Sequence, residues 1–311
     1  MWRTISQRAF SLIFVLFSVI TLTFIVSYLA PGDPILNMMG GRQDPVRYEL
    51  LRRLYGFDAP WYQQYFNYML HLLQGNLGYS FKYPQRPVWD LIANGVPVSL
   101  ELGLSALVLS VAIGVPAGVI SALWQNTWRD TTIMSVMLAL YSIPSFVVIP
   151  VLWVLDLALY KAGFPSLPVA GWGKPQHVVL PVLVLAAANI GFIARLMRNS
   201  MLEVMRQDFI RTARAKGASA QRVIWKHVFR NALLPLITML GPASAFLVTG
   251  AFVVENLFAI PGVGYLAVQS IGQRDYPVIQ ATTILLALAV VAMNLVTDIA
   301  YTIADPRVGT G

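Results

Sequence analysis

The chain has 311 residues, of which 57% are hydrophobic and only 12% are charged. Soluble domains carry about 25% charged residues, so the low charge and the long apolar runs predict an integral membrane protein. The net charge of +8 is compatible with nucleic-acid binding, but the basic residues cluster beside apolar runs, as topology signals and contacts with anionic lipid do. We therefore expect membrane lipid, and not nucleic acid, as a partner. The absence of cysteine excludes disulfides and thiol chemistry.

The first apolar run covers residues 10–29 and is preceded by Arg3 and Arg8. A secretory signal peptide would have a shorter apolar region, of about 7–15 residues, followed by a small-x-small cleavage site. Tyr28 disrupts such a site. Residues 1–30 are therefore interpreted as a cytoplasmic N-terminus and an uncleaved first transmembrane helix.

Residues 31–97 are predicted to form an external domain that lies on the membrane surface. The segment opens with a turn signal at residues 31–34, and it is rich in aromatic residues, which favour the membrane interface. One helix in it has an apolar face of five side chains: Tyr62, Phe66, Met69, Leu70 and Leu73. An aromatic cluster of this kind is more typical of a core or an interface belt than of a ligand site.

Residues 98–311 are predicted to be a transmembrane core with five further helices, at 98–123, 131–160, 178–194, 232–254 and 278–297. Gly114 and Gly118 have the GxxxG spacing that permits close helix approach. Pro144 and Pro150 should kink the helix that contains them. Residues 255–277 are interrupted by proline and glycine, so we predict there a short external or re-entrant helix rather than a span.

Polar groups inside the predicted spans are few. Asn189 and Asn294 each cost free energy in lipid and should face the helix bundle. Interhelical hydrogen bonding is the favoured role for both, and lining a pathway is the second. Glu255, just past the span at 232–254, is interpreted either as a gating or salt-bridging group or as an ordinary interfacial carboxylate.

Residues 208–235, here called the elbow, are polar and strongly basic although long apolar runs flank them. Asp208 is the only acid among six basic residues: Arg211, Arg214, Lys216, Arg222, Lys226 and Arg230. Apolar residues recur at helical spacing on both sides of Gly217, which can end a helix in the left-handed conformation, and Ser219 can cap the next helix. The pattern predicts two short helices joined by a turn. Composition alone leaves open whether the elbow contacts a partner or is a solvated basic loop that fixes topology.

The distribution of charge predicts the orientation of the chain. The loop at 195–231, which contains most of the elbow, also carries Arg195, Arg198 and Arg206, whereas the loop before residue 178 carries only two lysines. The excess of positive charge places the elbow in the cytoplasm. Six spans then put both termini on the cytoplasmic side.

Motifs for covalent chemistry are missing from the sequence. It contains no G-x-x-x-x-G-K-[ST] phosphate loop and no H-E-x-x-H helix, and its three histidines are scattered. No cluster of residues has the spacing of metal ligands. We therefore predict that the chain is not an enzyme and binds no cofactor itself.

Several stretches resemble a known family. RTARAKG at 211–217, followed by RNALLP at 230–235, is similar to the cytoplasmic loop of permease subunits in binding-protein-dependent ABC importers. More narrowly, it resembles the first ("B") permease subunit of oligopeptide and dipeptide importers. Further matching stretches run in order over nearly the whole chain: LAPGDP (29–34), GNLGYSFKY (75–83), IPSF (143–146), SMLEV (200–204), ENLFAIPGVG (255–264), RDYP (274–277) and DPR (305–307).

The elbow departs from the wider importer pattern in two places. In that pattern Glu-Ala-Ala is followed by three residues and then by glycine. Here Arg211, Thr212 and Ala213 take the places of Glu-Ala-Ala before Gly217. The Leu-Pro pair also comes later, at Leu234 and Pro235. Both departures resemble the peptide branch, so contacts are not transferred from sugar importers.

The resemblance implies a mechanism and a set of partners. A second, homologous permease subunit would line the pathway with this one, and two cytoplasmic ATPases would bind ATP and magnesium and dock beneath. An extracytoplasmic binding protein would deliver the peptide. The implied location is the bacterial cytoplasmic (inner) membrane, which the chain crosses several times.

The resemblance also implies that the elbow docks on an ATPase. Ala213 and Gly217 would permit close approach and the turn, and the cationic side chains would pair with acidic groups of the ATPase or with phospholipid. The implied docking residues are Arg211, Thr212, Ala213, Arg214, Ala215, Lys216, Gly217 and Arg222.

The cargo implied by the resemblance is peptide, and SFKY and IPSF favour oligopeptides. Relatives carry dipeptides, glutathione, nickel chelates or sugars. A self-contained secondary transporter is the alternative from another class, and it would need titratable residues in mid-span or inverted repeats. An intramembrane enzyme would need a nucleophile and a base. We find neither set of features.

Overall fold

The structure, a computed structural model, describes residues 2–39 and 44–304, with the side chains of residues 12–39, 44–239 and 251–297. Every regular element in these ranges is a helix, which confirms the all-α prediction. In chain order the elements are α1 (Trp2–Leu29), α2 (Pro34–Met38), α3 (Pro45–Leu54), α4 (Trp61–Leu73), α5 (Val88–Leu123), α6 (Trp128–Ser142), α7 (Ser145–Lys161), α8 (Pro175–Met205), α9 (Asp208–Ala215), α10 (Ala220–Arg222), a π-helix (Val223–Phe229), α11 (Arg230–Leu257), α12 (Val263–Gln273) and α13 (Tyr276–Ala304).

Four of the described helices are long and apolar enough to cross a membrane: Leu12–Leu29 of α1, all of α5 and α8, and Tyr276–Thr297 of α13. Helices α6 and α7 pass the same test together, as one bent span. The span predicted at 232–254 lies in the continuous helix α11, but the side chains of residues 240–250 are outside the described part. The described residues thus contain four or five candidate spans, against the six predicted.

The apolar run at 131–160 turns a corner. Helices α6 and α7 are bent by 104° at the break between them. Pro144 disfavours the helical conformation at the residue before it, and Ile143 is accordingly extended, with ψ 120°. The kink predicted at Pro144 is therefore a full break, whereas α7 is one helix through Pro150.

Helix α5 begins at Val88 and not at Val98, where the span was predicted to start. Pro97 was taken as a boundary, yet prolines are tolerated inside membrane helices because neighbouring groups satisfy the freed backbone. Asp90 lies in the first turn, where a carboxylate favours the positive end of the helix dipole. Val88 and Ile92 are fully buried in a small apolar cluster with Val278 and Ala281.

The described chain divides into two compact units. The first comprises residues 100–260 and 290–304, and the second comprises residues 2–39, 44–99 and 261–289. Helix α8 lies at the centre of the first unit, where it packs against α6 and α11. In its membrane window 56% of the residues are buried, compared with 17% for α13 and 11% for α1.

Glycines let the neighbours of α8 approach its backbone. A Cβ atom added at Gly114 would lie 2.8 Å from Cγ2 of Ile193, and one added at Gly118 would overlap the carbonyl oxygen of Ala194. Gly191 of α8 has the same role towards α6, because a Cβ atom added there would overlap the carbonyl oxygen of Met137. The close approach predicted from the GxxxG spacing is confirmed.

In the second unit α4 packs against α1. The ring of Phe24 lies 5.2 Å from that of Tyr65 and 5.8 Å from that of Tyr68, and Thr21 shares a hydrogen bond of 2.8 Å with the Tyr65 hydroxyl. Four of the five side chains of the predicted apolar face point away from this contact and are exposed: Tyr62, Phe66, Leu70 and Leu73. The short helix predicted within 255–277 is α12, which is confirmed as an element of eleven residues.

We expect Gly118→Ala to destabilise the chain, because the new methyl group meets the backbone of α8, and overpacking of this kind costs about 1–3 kcal/mol. The matched control is Gly103→Ala on the same helix, where an added Cβ atom meets nothing within 4 Å. The measurement is thermal unfolding in detergent. Equal losses in both variants would contradict the close packing at Gly118.

Candidate functional site

The elbow begins with helix α9, which ends before a left-handed residue. Gly217 has φ +80°, and a Cβ atom added there would meet nothing within 4 Å, so only the backbone conformation requires glycine. Ser219 accepts a hydrogen bond of 3.4 Å from the Arg222 amide, as the predicted cap should. The second helix is not short, however, because α10 continues through the π-helix into α11 without a break.

The π-helix sets which residues of the elbow are buried. In a π-helix each amide bonds to the carbonyl group five residues back, so residues five apart share a face. Val223 and Val228 are five apart, and both are buried. Trp225 lies between them on the other side, where 56% of it is exposed.

The buried residues of the elbow belong to one apolar core with the neighbouring helices. Ile210 of α9 and Val223 and Val228 of the π-helix pack in a cluster with Met197 and Met201 of α8. The same cluster includes Val119 and Ala122 at the end of α5 and Ala232 and Leu236 of α11. The elbow is therefore fixed to three long helices by its apolar face.

The opposite face of the elbow carries the predicted docking residues. Seven of the eight are exposed: Arg211, Thr212, Arg214, Ala215, Lys216, Gly217 and Arg222. Ala213 is partly buried against the apolar core. The ion pair of 3.5 Å between Arg211 and Asp208 is exposed, and such pairs contribute only about 0–1 kcal/mol. These cations are thus free to contact a partner.

Two exposed aromatic residues of the elbow were missed by the sequence reasoning. Phe209 is 45% exposed, and Trp225, whose ring lies 5.3 Å from that of Phe229, is 56% exposed. The signal was present, since large apolar residues inside a basic segment are unusual. For Trp225, ordinary helical periodicity did not indicate the exposed side, because the π-helix changes the register.

The three polar residues proposed for a pathway or gate differ in environment. Asn189 of α8 is 3% exposed, and its Nδ2 atom has no hydrogen-bond partner among the described residues. Glu255 of α11, a helix that packs against α8, is fully buried. Asn294 of α13 is exposed within this single chain, so its place inside a helix bundle stays a prediction.

A buried carboxylate joins two of the family-like stretches in the second unit. Asp275 of RDYP accepts hydrogen bonds from the Ser80 hydroxyl and from the amides of Phe81, at 3.0 Å, and Lys82, at 3.2 Å. Asp275 and Ser80 are almost completely buried. We call these four residues the Asp275 cluster.

A third stretch meets the same region. Arg274 adopts a left-handed conformation with φ +55°, and its guanidinium occupies the space that a side chain on Gly32 would need. Residues 29–34, 75–83 and 274–277, which are distant in sequence, thus converge. The stretch at 305–307 lies outside the described residues.

Comparison with known proteins adds to this geometry. The family described as binding-protein-dependent transport system inner membrane component matches residues 114–310, and the N-terminal domain of such membrane components matches residues 1–103. The chain belongs to this permease family. The membership confirms the resemblance drawn from the elbow and agrees with the candidate spans.

Relatives of this permease are similar over their whole length. The oligopeptide transport system permease protein of Haemophilus influenzae is 41% identical over 310 residues, with 99% of each chain covered. The dipeptide transport system permease protein of Bacillus subtilis is 40% identical over 99% of this chain and 98% of its own, and the glutathione transport system permease protein of Escherichia coli K12 is 38% identical over 99% of both. These relatives confirm a permease subunit that is not an enzyme.

We expect Asp275→Ala in this permease to loosen the segment around Lys82, because it leaves buried donors unpaired at about 1–3 kcal/mol each. Trypsin should then cut after Lys82 at a raised rate in the otherwise folded chain. The control is Asp44→Ala, which removes an exposed cap of α3 that accepts from Val46 at 3.0 Å. Unchanged cleavage in the Asp275 variant would contradict the role of the cluster.

Proposed function

We propose that the chain is a transmembrane permease subunit of an ABC importer that moves peptides across the bacterial cytoplasmic membrane. The observation that carries this proposal is the elbow, a basic surface mounted on a buried apolar core, in a chain that matches the permease family from end to end. The elbow docks on an ATPase subunit. ATP and magnesium are held by that ATPase, and the permease contributes the pathway.

The proposed docking surface combines charge with apolar area. The exposed cations of α9 and α10 pair with acidic groups of the ATPase, while Phe209 and Trp225 fill an apolar recess on it. Exposed aromatic side chains beside arginine are typical of the residues that dominate binding at protein interfaces. Because Ile210, Val223 and Val228 tie the elbow to α8 and α11, a displacement of the elbow moves these helices.

The proposed topology has six spans, with both termini in the cytoplasm. The spans are those of α1, α5, the bent pair α6–α7, α8, α11 and α13. The excess of positive charge at 195–231 supports a cytoplasmic elbow. The exposed apolar face of α4 supports its placement along lipid, because α4 also contacts Thr21 and Phe24 inside the candidate span of α1.

A second permease subunit is proposed because of the surface of α13. Asn294 is exposed on this apolar helix beside Leu295 and Val296. A polar amide facing lipid is unfavourable, and it gains a partner when another helix covers it. A homologous permease subunit that shares the pathway provides that cover, and two ATPases match two such subunits.

The proposed cargo is peptide, since the relatives are named for dipeptides, oligopeptides and glutathione. Oligopeptides remain our first proposal, from the SFKY and IPSF stretches. An extracytoplasmic binding protein delivers the cargo. Uptake by the reconstituted transporter of labelled peptides of two to five residues, with and without that binding protein, tests both statements.

The turn of the elbow provides a test of docking. We expect Gly217→Val to reduce peptide uptake at least tenfold while ATP hydrolysis continues, because a β-branched residue resists a positive φ and distorts the turn. Gly217→Asn should retain uptake, since asparagine tolerates this conformation. Gly56→Val is the matched control, because Gly56 has φ +71° and equally open surroundings. Normal uptake by the Gly217→Val transporter would contradict docking at the elbow.

The aromatic pair provides a second test. We expect Phe209→Ala and Trp225→Ala each to weaken co-purification of the ATPases about tenfold or more, since burying such a side chain contributes about 1.5–3 kcal/mol. Trp128→Ala is the control, because Trp128 is exposed but lies at the start of α6, outside the elbow. If all three variants retained the ATPases equally, the aromatic contacts would be refuted.

A further inference from the structure

A buried ion pair joins α6 to α8. The Arg198 guanidinium donates from Nε to Oδ1 of Asp130 at 2.8 Å and from Nη2 to Oδ2 at 2.7 Å. The Asp130 side chain is 6% exposed and that of Arg198 is 22% exposed. Two parallel hydrogen bonds between planar groups fix both distance and orientation. The pair therefore sets the position of the first turn of α6 on α8.

The same carboxylate is held by α5 and the turn that follows it. The Ser121 hydroxyl donates to Oδ1 of Asp130, and the Asn126 amide donates to Oδ2 at 3.0 Å. Ser121 is fully buried, and Asn126 has the left-handed φ of +63°. Three segments of the first unit thus meet at one carboxylate.

The ion pair lies directly beside the apolar core of the elbow. Arg198 follows Met197, which packs in that core with Ile210 and Val228. A Cβ atom added at Gly118 would lie 2.7 Å from Met197 Cβ and 3.1 Å from the Arg198 amide nitrogen. One turn of α8 therefore holds the elbow through Met197 and holds α6 through Arg198.

Further contacts continue from the ion pair along α6. The Arg195 guanidinium lies 5.1 Å from the ring centroid of Tyr141, and Gly191 lies against the backbones of Met137 and Tyr141. Helix α6 is thus attached to α8 from its first turn to its last. It then meets the corner of 104° that leads into α7.

We propose that Asp130 and Arg198 are positioning residues for transport, which make α6 and the α5–α6 turn move together with the elbow. This inference rests on the proposed docking of the elbow on an ATPase. Movement of the elbow carries α8 through the Met197 contact, and the ion pair passes the movement of α8 to α6. Separating the two charges would leave the buried Asp130 carboxylate without its cation, so the pair resists relative movement of the two helices.

The test uses the complete transporter, with partner permease, ATPases and binding protein, reconstituted in liposomes. Asp130→Asn and Arg198→Gln should leave ATP hydrolysis within about twofold of the parent, as expected if the elbow core is intact. We expect the peptide transported per ATP to fall at least tenfold in both. Arg198→Lys keeps the charge without the paired hydrogen bonds. Its peptide transported per ATP should lie between that of these two variants and that of the parent.

Matched controls come from groups outside the pair. Asp156 of α7 accepts from Ser166 at 2.7 Å and from the Leu167 amide at 3.0 Å, so Asp156→Asn removes a hydrogen-bonded carboxylate that has no cation in these contacts. Arg206→Gln removes an exposed cation at the end of α8. Both controls should retain the parent ratio of transport to hydrolysis.

A merely structural role would lower thermal stability, hydrolysis and transport together, and that result would overturn the inference. So would an unchanged ratio in Asp130→Asn. If that variant fails to assemble, Ser121→Ala gives the same test with both charges in place, and it should lower the ratio without loss of assembly. Retention of the ATPases by the Phe209 and Trp225 variants would count against the proposed docking surface, and not against the role of the Asp130–Arg198 ion pair.

A distance measurement tests the movement directly. The chain has no cysteine, so spin labels can be placed at Val136 of α6 and at Gln207, immediately before the elbow, both of which are exposed. In the parent background the distance should be the same without nucleotide and with trapped ATP. In Asp130→Asn it should differ between the two states. A distance that changes in the parent would overturn the inference.

Discussion

The first unit depends on how closely its helices approach α8. Lipid tails are as apolar as leucine side chains, so helices in a membrane gain little by hiding apolar surface and associate through close packing and polar contacts instead. Gly114 and Gly118 bring α5 against the backbone of α8, and Gly191 of α8 does the same for α6. Each of these three glycines meets backbone atoms of the neighbouring helix, which cannot rotate away as a side chain can. These glycines therefore set how near α5 and α6 lie to α8.

The elbow packs on these helices with one face and leaves its opposite face exposed. Its buried residues share a core with α5, α8 and α11, while its cations and two aromatic side chains remain exposed. The π-helix makes this division possible, because it puts Val223 and Val228 on one face. A regular α-helix would rotate one of them towards solvent, since five residues do not complete a whole number of its turns.

Local patterns in the sequence predicted the local structure well. The first elbow helix, the turn at Gly217 and the cap at Ser219 each depend on a few neighbouring residues, and all are present. The kink predicted at Pro144 is also present, as a full break. The start of α5 was missed because Pro97 was given the meaning it has in soluble helices.

What the sequence could not predict were contacts between residues far apart in the chain. Asp130 meets Arg198 across 68 positions, and Asp275 meets Ser80 across 195. Nothing in the sequence near either partner indicates the other. Nor could a single sequence indicate that Asn294 is exposed, since burial on α13 depends on which helices surround it.

The chemistry of the Asp130–Arg198 pair favours specificity over stability. Burying two charges costs solvation that their attraction repays only in part, and well-packed apolar side chains of similar size often serve as well or better. An apolar contact, however, accepts sliding and rotation, whereas a paired carboxylate and guanidinium accept one geometry. The Ser121 hydroxyl and the Asn126 amide restrict the carboxylate further. A contact of this kind fixes the register between two helices, and it lies on the turn of α8 that also holds the elbow.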